Sequence, residues 1–223
     1  MEGPEFSATY FTDPLCAWSW AFEPVWRRLL AAFAGRIRWR TAMGGMIPSW
    51  REYRDPLHDV ERPLHLGALC RQASEIGGVP IVDRIWVEDP PASSYPSCIA
   101  VKAAELQSLE AGDLYLVRVR EALMAQGRNV ARRQVLLDAA AELAGDLPGA
   151  FSLARFELDL EGAAALEAFR SDLNATRDAG VERFPTLVLR TPSGQVLRIV
   201  GYRPYDALLE AIGPFAGAAT VVG

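Results

Sequence analysis

The sequence predicts an α/β fold in which strands frame an all-helical insertion. Three observations carry this: a strand–helix–strand pattern up to Met43, a long middle where helical periods follow one another without strands, and a closing hairpin with a helix after it. At 223 residues the chain is one large domain, or a smaller one carrying an insertion. Hydrophobic residues make up 50% and charged residues 23%, which supplies a core and excludes a disordered chain.

Phe6 to Thr12 (FSATYFT) is rich in aromatic and hydroxyl residues and stops at Asp13-Pro14, as a buried strand ending in a turn does. From about Ala17 to Phe33, Trp18, Phe22, Val25, Trp26, Leu29, Leu30 and Phe33 recur at helical spacing, and Gly35 closes the helix. Pro24 inside that run predicts a kink or a restart. Arg36 to Met43 alternates, with Ile37, Trp39 and Thr41 on one face of a second strand. The connection between these strands suits a right-handed parallel crossover. Helical periods then cover His65–Ile76, Ser97–Leu109, Leu114–Ala125, Gln134–Ala144 and Ala163–Arg177, separated by Gly, Pro and Asp. Thr186–Arg190, a turn at Thr191-Pro192-Ser193-Gly194, and Val196–Val200 make the hairpin, and Gly201 leads to a last helix, Tyr205–Ile212. The strand-bearing parts, residues 1–52 and 176–223, are the two halves of one domain, and 53–175 is the insertion.

Charge narrows the function. The 23 basic and 28 acidic side chains leave a net charge of −5, and the arginines are scattered rather than striped, which argues against nucleic acid as a partner. The longest charge-free stretch, Ala211 to Gly223, is too short to span a bilayer and is broken by Gly213-Pro214. Glu2, Glu5 and Asp13 stand where a secretory signal would be basic and apolar. The expectation is a cytoplasmic protein with no membrane partner and with reduced thiols. Cys16, Cys70 and Cys98 are odd in number, and no pair has zinc-ligand spacing, so no metal site is expected.

Chemistry concentrates in Thr12–Phe22 (TDPLCAWSWAF). Cys16 follows a strand and opens a helix, where unpaired N–H groups and the helix dipole favour a thiolate. A thiolate there attacks disulfides or electrophilic carbon; a buried cysteine filling the first turn is the bland alternative. Strand, Cys-x-x-Ser opening a helix, and a late Phe184-Pro185-Thr186 before the hairpin resemble the thioredoxin fold. With its helical insertion the chain resembles the DsbA family, whose relatives include 2-hydroxychromene-2-carboxylate isomerases and kappa-class glutathione transferases. The resemblance implies a thioredoxin-like, DsbA-like α/β fold. It also implies a cis Pro185 facing the thiol and backbone groups of Phe184 offered to a bound peptide or glutathione. The chain departs from the family's dithiol motif at Ser19, which stands where the second cysteine would be, so a mixed disulfide on Cys16 cannot be resolved within the motif.

The catalytic candidates are therefore Cys16 and Ser19, whose hydroxyl can donate to the thiolate or simply satisfy a first-turn N–H. Trp18, Phe184, Pro185, Ser94 and Tyr95 are candidate substrate contacts, the last two because a helix of the insertion points its N-terminus at the site in relatives. Cys98 reads as a core thiol first and as a distal resolving partner second; Cys70 reads as core. Met43-Gly44-Gly45-Met46 reads either as a close backbone approach beside an apolar wall or as a plain turn. The leading expectation is a monothiol thiol–disulfide oxidoreductase with no bound cofactor. Glutathione or another low-molecular-weight thiol would be its co-substrate, and protein or small-molecule thiols and disulfides its partners. The alternatives are a glutathione-dependent isomerase or transferase, and a non-catalytic peptide-binding or adapter protein.

Overall fold

The computed structural model describes residues 6–217. Glu2, Glu5 and the end of the charge-free C-terminal stretch lie outside them. Strands β1 (Phe6–Thr12), β2 (Ile37–Met43), β3 (Thr186–Arg190) and β4 (Val196–Val200) form one sheet in the order β2-β1-β3-β4. β1 pairs parallel with β2, Phe6 opposite Ile37 and Thr12 opposite Met43, and antiparallel with β3, which pairs antiparallel with β4. The crossover helix α1 (Ala17–Ala32) and the last helix α9 (Tyr205–Gly217) cover one face.

That face is aromatic for a reason visible in the strands' alternation. Phe6, Ala8 and Tyr10 of β1 point to it, with Leu187, Leu189 and Ile199 opposite, and meet Phe22, Trp26 and Leu29 of α1. Trp26 packs between Tyr10 and Trp39, at ring centroid distances of 5.0 and 5.6 Å. Burying a side chain of that size contributes about 3–5 kcal/mol, judged by the cost of truncating it to alanine. The other face is smaller: Phe11, Ala42 and Val188 pack under Val181 and the end of α8 (Ala163–Asp178).

Between β2 and β3 come α2 (Leu66–Gly77), α3 (Ile85–Glu88), α4 (Tyr95–Glu105), α5 (Leu109–Arg120), α6 (Arg133–Asp146), α7 (Leu153–Glu161) and α8. A 3₁₀ turn (Pro63–His65) precedes α2, and a π-helical turn (Glu121–Ala125) prolongs α5. Their core is continuous with the end of the sheet that carries Leu15, Met43 and Ile47, so insertion and sheet meet around one set of side chains.

Some elements differ from the sequence reading. α1 runs unbroken through Pro24, with no restart, because Trp20, Phe22 and Trp26 hold both turns against the sheet and core. α9 likewise continues past Ile212 through Pro214. α4 ends at Glu105 and α5 starts at Leu109, since the Ser108 hydroxyl accepts from Ala111 N–H at 3.0 Å and caps a new helix. The short α3 and α7 lie where no helix is expected; α7 buries Phe156 alone, too little to leave a periodic stripe.

Candidate functional site

The site forms where β1 ends and α1 begins. Cys16 is the N-cap of α1, with φ −82° and ψ 109°, and its Sγ accepts from Ser19 N–H at 3.4 Å. The same thiol donates to the carbonyl oxygen of Phe184 at 3.4 Å, across the cis Phe184–Pro185 peptide. The structure thus brings Cys16, Ser19, Phe184 and Pro185 together, although Cys16 and Phe184 are far apart in the chain. As donor and acceptor at once, Cys16 is held as the neutral thiol.

Its electrostatics correct the sequence-based expectation of a lowered pKa. Cys16 is only 5% exposed, and this burial pushes the thiol above its ordinary value. The Ser19 hydroxyl and N–H favour the thiolate, as does the more distant Arg120, while Asp13 opposes it; burial outweighs the helix N-terminus. The Ser19 hydroxyl is fully buried and has no hydrogen-bond partner among the described residues, which leaves it free to donate to a thiolate.

Asp13 ties the loops together. Its carboxylate accepts from Leu15 N–H at 2.9 Å and Met46 N–H at 2.7 Å, and Cys98 Sγ donates to it at 3.5 Å. Burial raises the Asp13 carboxyl, and the two backbone N–H groups resist that shift. Cys98 is wholly buried, with its thiol pushed well up by burial and by Asp13. Cys70 donates nothing to the site; it accepts from Trp86 Nε1 at 3.1 Å, and burial raises it to about 12. All three cysteines are free.

On the α1 side lies a buried ionic network. Arg120 is fully buried; one Nη donates to Glu23 at 2.5 Å and the other to the Thr12 hydroxyl, while its Nε has no partner among the described residues. Glu23 also accepts from Arg27 at 2.6 Å, and Arg27 clasps Asp113 with both Nη groups. Removing one member of a buried network of this kind is costly, because it strips a buried charge of a partner.

The rim is aromatic and half-buried. Trp18 packs on Tyr202 (centroids 6.2 Å apart), Tyr95 packs on Phe169 (5.0 Å), and the Phe184 ring lies over Gly44. A Cβ on Gly44 would fall 1.9 Å from that ring, so the paired glycines do mark a close approach. Ser94 is wholly buried and does not reach the rim; its hydroxyl accepts from Ile47 N–H at 3.1 Å, fastening α4 to the loop after β2.

Asp13, Glu23 and Arg120 escape a reading by residue type. A signal exists for Arg120, which sits in an apolar helical stripe with Leu116, Leu123 and Met124 and therefore points inward. Among the described residues no group of three or more His, Cys, Asp or Glu could hold a metal ion, and no helix is long and apolar enough to cross a membrane.

A four-stranded sheet with the cis-proline loop facing the first-turn cysteine, split by a helical insertion, defines a thioredoxin-like fold of DsbA type. The chain belongs to the thioredoxin family, whose model matches residues 10–210. It is 30% identical over 209 residues to the ClpXP adapter protein SpxH of Halalkalibacterium halodurans and 27% identical over 212 residues to that of Bacillus subtilis. Each match covers 93% of this chain but only 66% of the relative, so the chain spans just under two thirds of these proteins' length. Among solved structures it is similar to a candidate protein disulfide isomerase from Nitrosomonas europaea (TM-score 0.79, 20% identity, covering 96% of this chain and 98% of that one). It is also similar to the cytosolic disulfide reductase DsbM of Pseudomonas aeruginosa (TM-score 0.65, 22% identity, covering 95% of each), which has been solved with GSH as well.

Proposed function

We propose that this chain is a non-catalytic adapter that binds protein partners and serves ClpXP, as the names of its curated relatives state for them. The observation that carries the reading is the condition of Cys16. The thiol is buried and neutral, engaged with Phe184 O and Ser19 N–H, and has no second cysteine in its motif. The sequence alone ranks the monothiol oxidoreductase first; burial of the thiol and the relationship to SpxH reverse that order. The setting is the cytoplasm, in keeping with three free cysteines.

The test is a substrate trap. Proteins retained in proteolytically inactive ClpP, with its ClpX, are compared in cells with and without this chain. The adapter reading expects one or a few proteins to enter the trap only when the chain is present. Identical trap contents would remove it.

A second reading keeps one specific support: Cys16 Sγ stands 3.4 Å from a cis-proline loop carbonyl, the place where a peptide or glutathione backbone would pair. On that reading a glutathione disulfide is attacked by Cys16. A mixed disulfide forms and one glutathione thiolate leaves; a second low-molecular-weight thiol then attacks the bound glutathione sulfur and departs with it as a disulfide, and Cys16 takes up a proton as the free thiol. Intact mass after exposure to oxidised glutathione decides it. An adduct lost only in Cys16→Ser favours the monothiol enzyme, and an unmodified folded protein favours the adapter.

A further inference from the structure

An open cleft of about 470 Å³ lies away from Cys16, between the outer edge of β2 and α5. β2 is an edge strand, and two hydrogen bonds fix which of its residues turn outward. Gly44 N–H donates inward to Thr12 O, so the even-numbered residues of β2 pair with β1. Met43 N–H, of odd number, points the other way and donates to Asp172 of α8 at 2.9 Å. Asp172 thereby covers the end of the edge. The outward N–H and C=O of Trp39, half-buried, and of Thr41, buried, have no partner among the described residues, and both residues line the cleft.

The facing wall is α5, where Leu109 is 63% exposed and Leu114 half-buried. Around the cleft the charges are mostly matched: Arg27 with Asp113, Glu105 with Lys102, and Arg40 with Asp172. Glu110, exposed on α5, has no such partner among the described residues. The other edge of the sheet is different. There Arg198 of β4 folds back onto the carbonyls of Ala179 and Gly180, and the neighbouring hollow is smaller, about 200 Å³.

We propose that this cleft captures an extended, apolar-rich segment of a partner protein as a fifth strand on β2, with a basic side chain of that segment opposite Glu110. Backbone groups two residues apart on an open edge match an extended chain and nothing more compact. Trp39, Leu109 and Leu114 give its alternate side chains an apolar seat, and the unmatched Glu110 sets the sign of the charge. The adapter reading supplies only the source of the peptide, a client. A chain that binds peptides here yet changes nothing in the ClpP trap keeps this site and loses that reading.

The probe is a phage-displayed library of random decapeptides panned on the whole chain, followed by synthesis of the selected peptide. Expected are protection of the Trp39 and Thr41 amides from hydrogen exchange and binding about tenfold weaker in Leu109→Glu. Glu110→Lys should weaken the same peptide and bind one whose basic residue is replaced by glutamate. Glu110→Lys also serves if Leu109→Glu does not fold. Binding unchanged in both variants overturns the proposal, as does protection confined to the Cys16 rim, a library that yields no binder, or a β2-to-β2 dimer in sedimentation.

Discussion

The two ends of β2 treat their hydrogen-bonding groups in opposite ways. At its C-terminal end, Met43 N–H goes to Asp172, Gly44 N–H to Thr12 O, Met46 N–H to Asp13 and Ile47 N–H to Ser94, and the thiol of Cys16 is closed in beside them. Nearer its N-terminal end, the outward backbone groups of Trp39 and of the buried Thr41 have no partner among the described residues, beside an exposed leucine. The thioredoxin-type site is thus the finished, shielded part of the molecule, and the unfinished part lies along the sheet edge. A fold can keep the geometry of a redox centre as architecture while its partner surface sits elsewhere.

The largest expected effect comes from opening the shielded region. Arg120→Met leaves the buried Glu23 carboxylate with Arg27 as its remaining cation and should cost about 3 kcal/mol, read as a lowered denaturant midpoint. Full stability in that variant would mean the network is incidental. Gly44→Ala comes next. Its Cβ would collide with the Phe184 ring, so a cost of about 1–3 kcal/mol is expected, together with faster alkylation of Cys16 as the Phe184 carbonyl moves off the thiol. Wild-type alkylation rates would separate Phe184 from the shielding of Cys16.

A smaller effect is expected in a pH titration. In a Cys70→Ala, Cys98→Ala background, alkylation of Cys16 should rise with a midpoint above the value of about 8.5 for a free cysteine, because burial raises its pKa. A midpoint below that value would restore the thiolate reading. The same shift carries a stability consequence. The folded protein keeps a proton on Cys16 that the unfolded chain releases, so this contribution is complete below the unfolded pKa and is lost as pH rises towards the folded one. The wild-type melting temperature should therefore fall above about pH 8.5, and less so in Cys16→Ser. The smallest effect on stability is at the open edge. Leu109→Glu, at an exposed position, should stay within about 0.5 kcal/mol of wild type while peptide capture drops.

Much of this contrast can be read from residues alone, and its limits have physical causes. Alternation in β1 and β2 and the helical spacing from Trp18 to Phe33 place the crossover unit, and Cys16 with Phe184-Pro185 places the thiol against its loop. The direction of the Cys16 pKa is not readable, because the helix N-terminus is a local feature and burial is a tertiary one. Asp13 looks like a turn former beside Pro14 until Met46 and Cys98 arrive from distant segments. Ser108 looks like a helix residue until its hydroxyl is seen to start a new helix. The open edge of β2 depends on strand order, and no single strand's pattern states which neighbours it has.

The most direct measurement is the ClpP trap repeated with Cys16→Ser and with Leu109→Glu, each first shown to be folded by its melting curve. If the partner surface lies at the β2 edge, Cys16→Ser delivers the same proteins as wild type and Leu109→Glu delivers few or none. Loss of delivery in Cys16→Ser with Leu109→Glu unaffected would contradict that placement, and would return the function to the thiol.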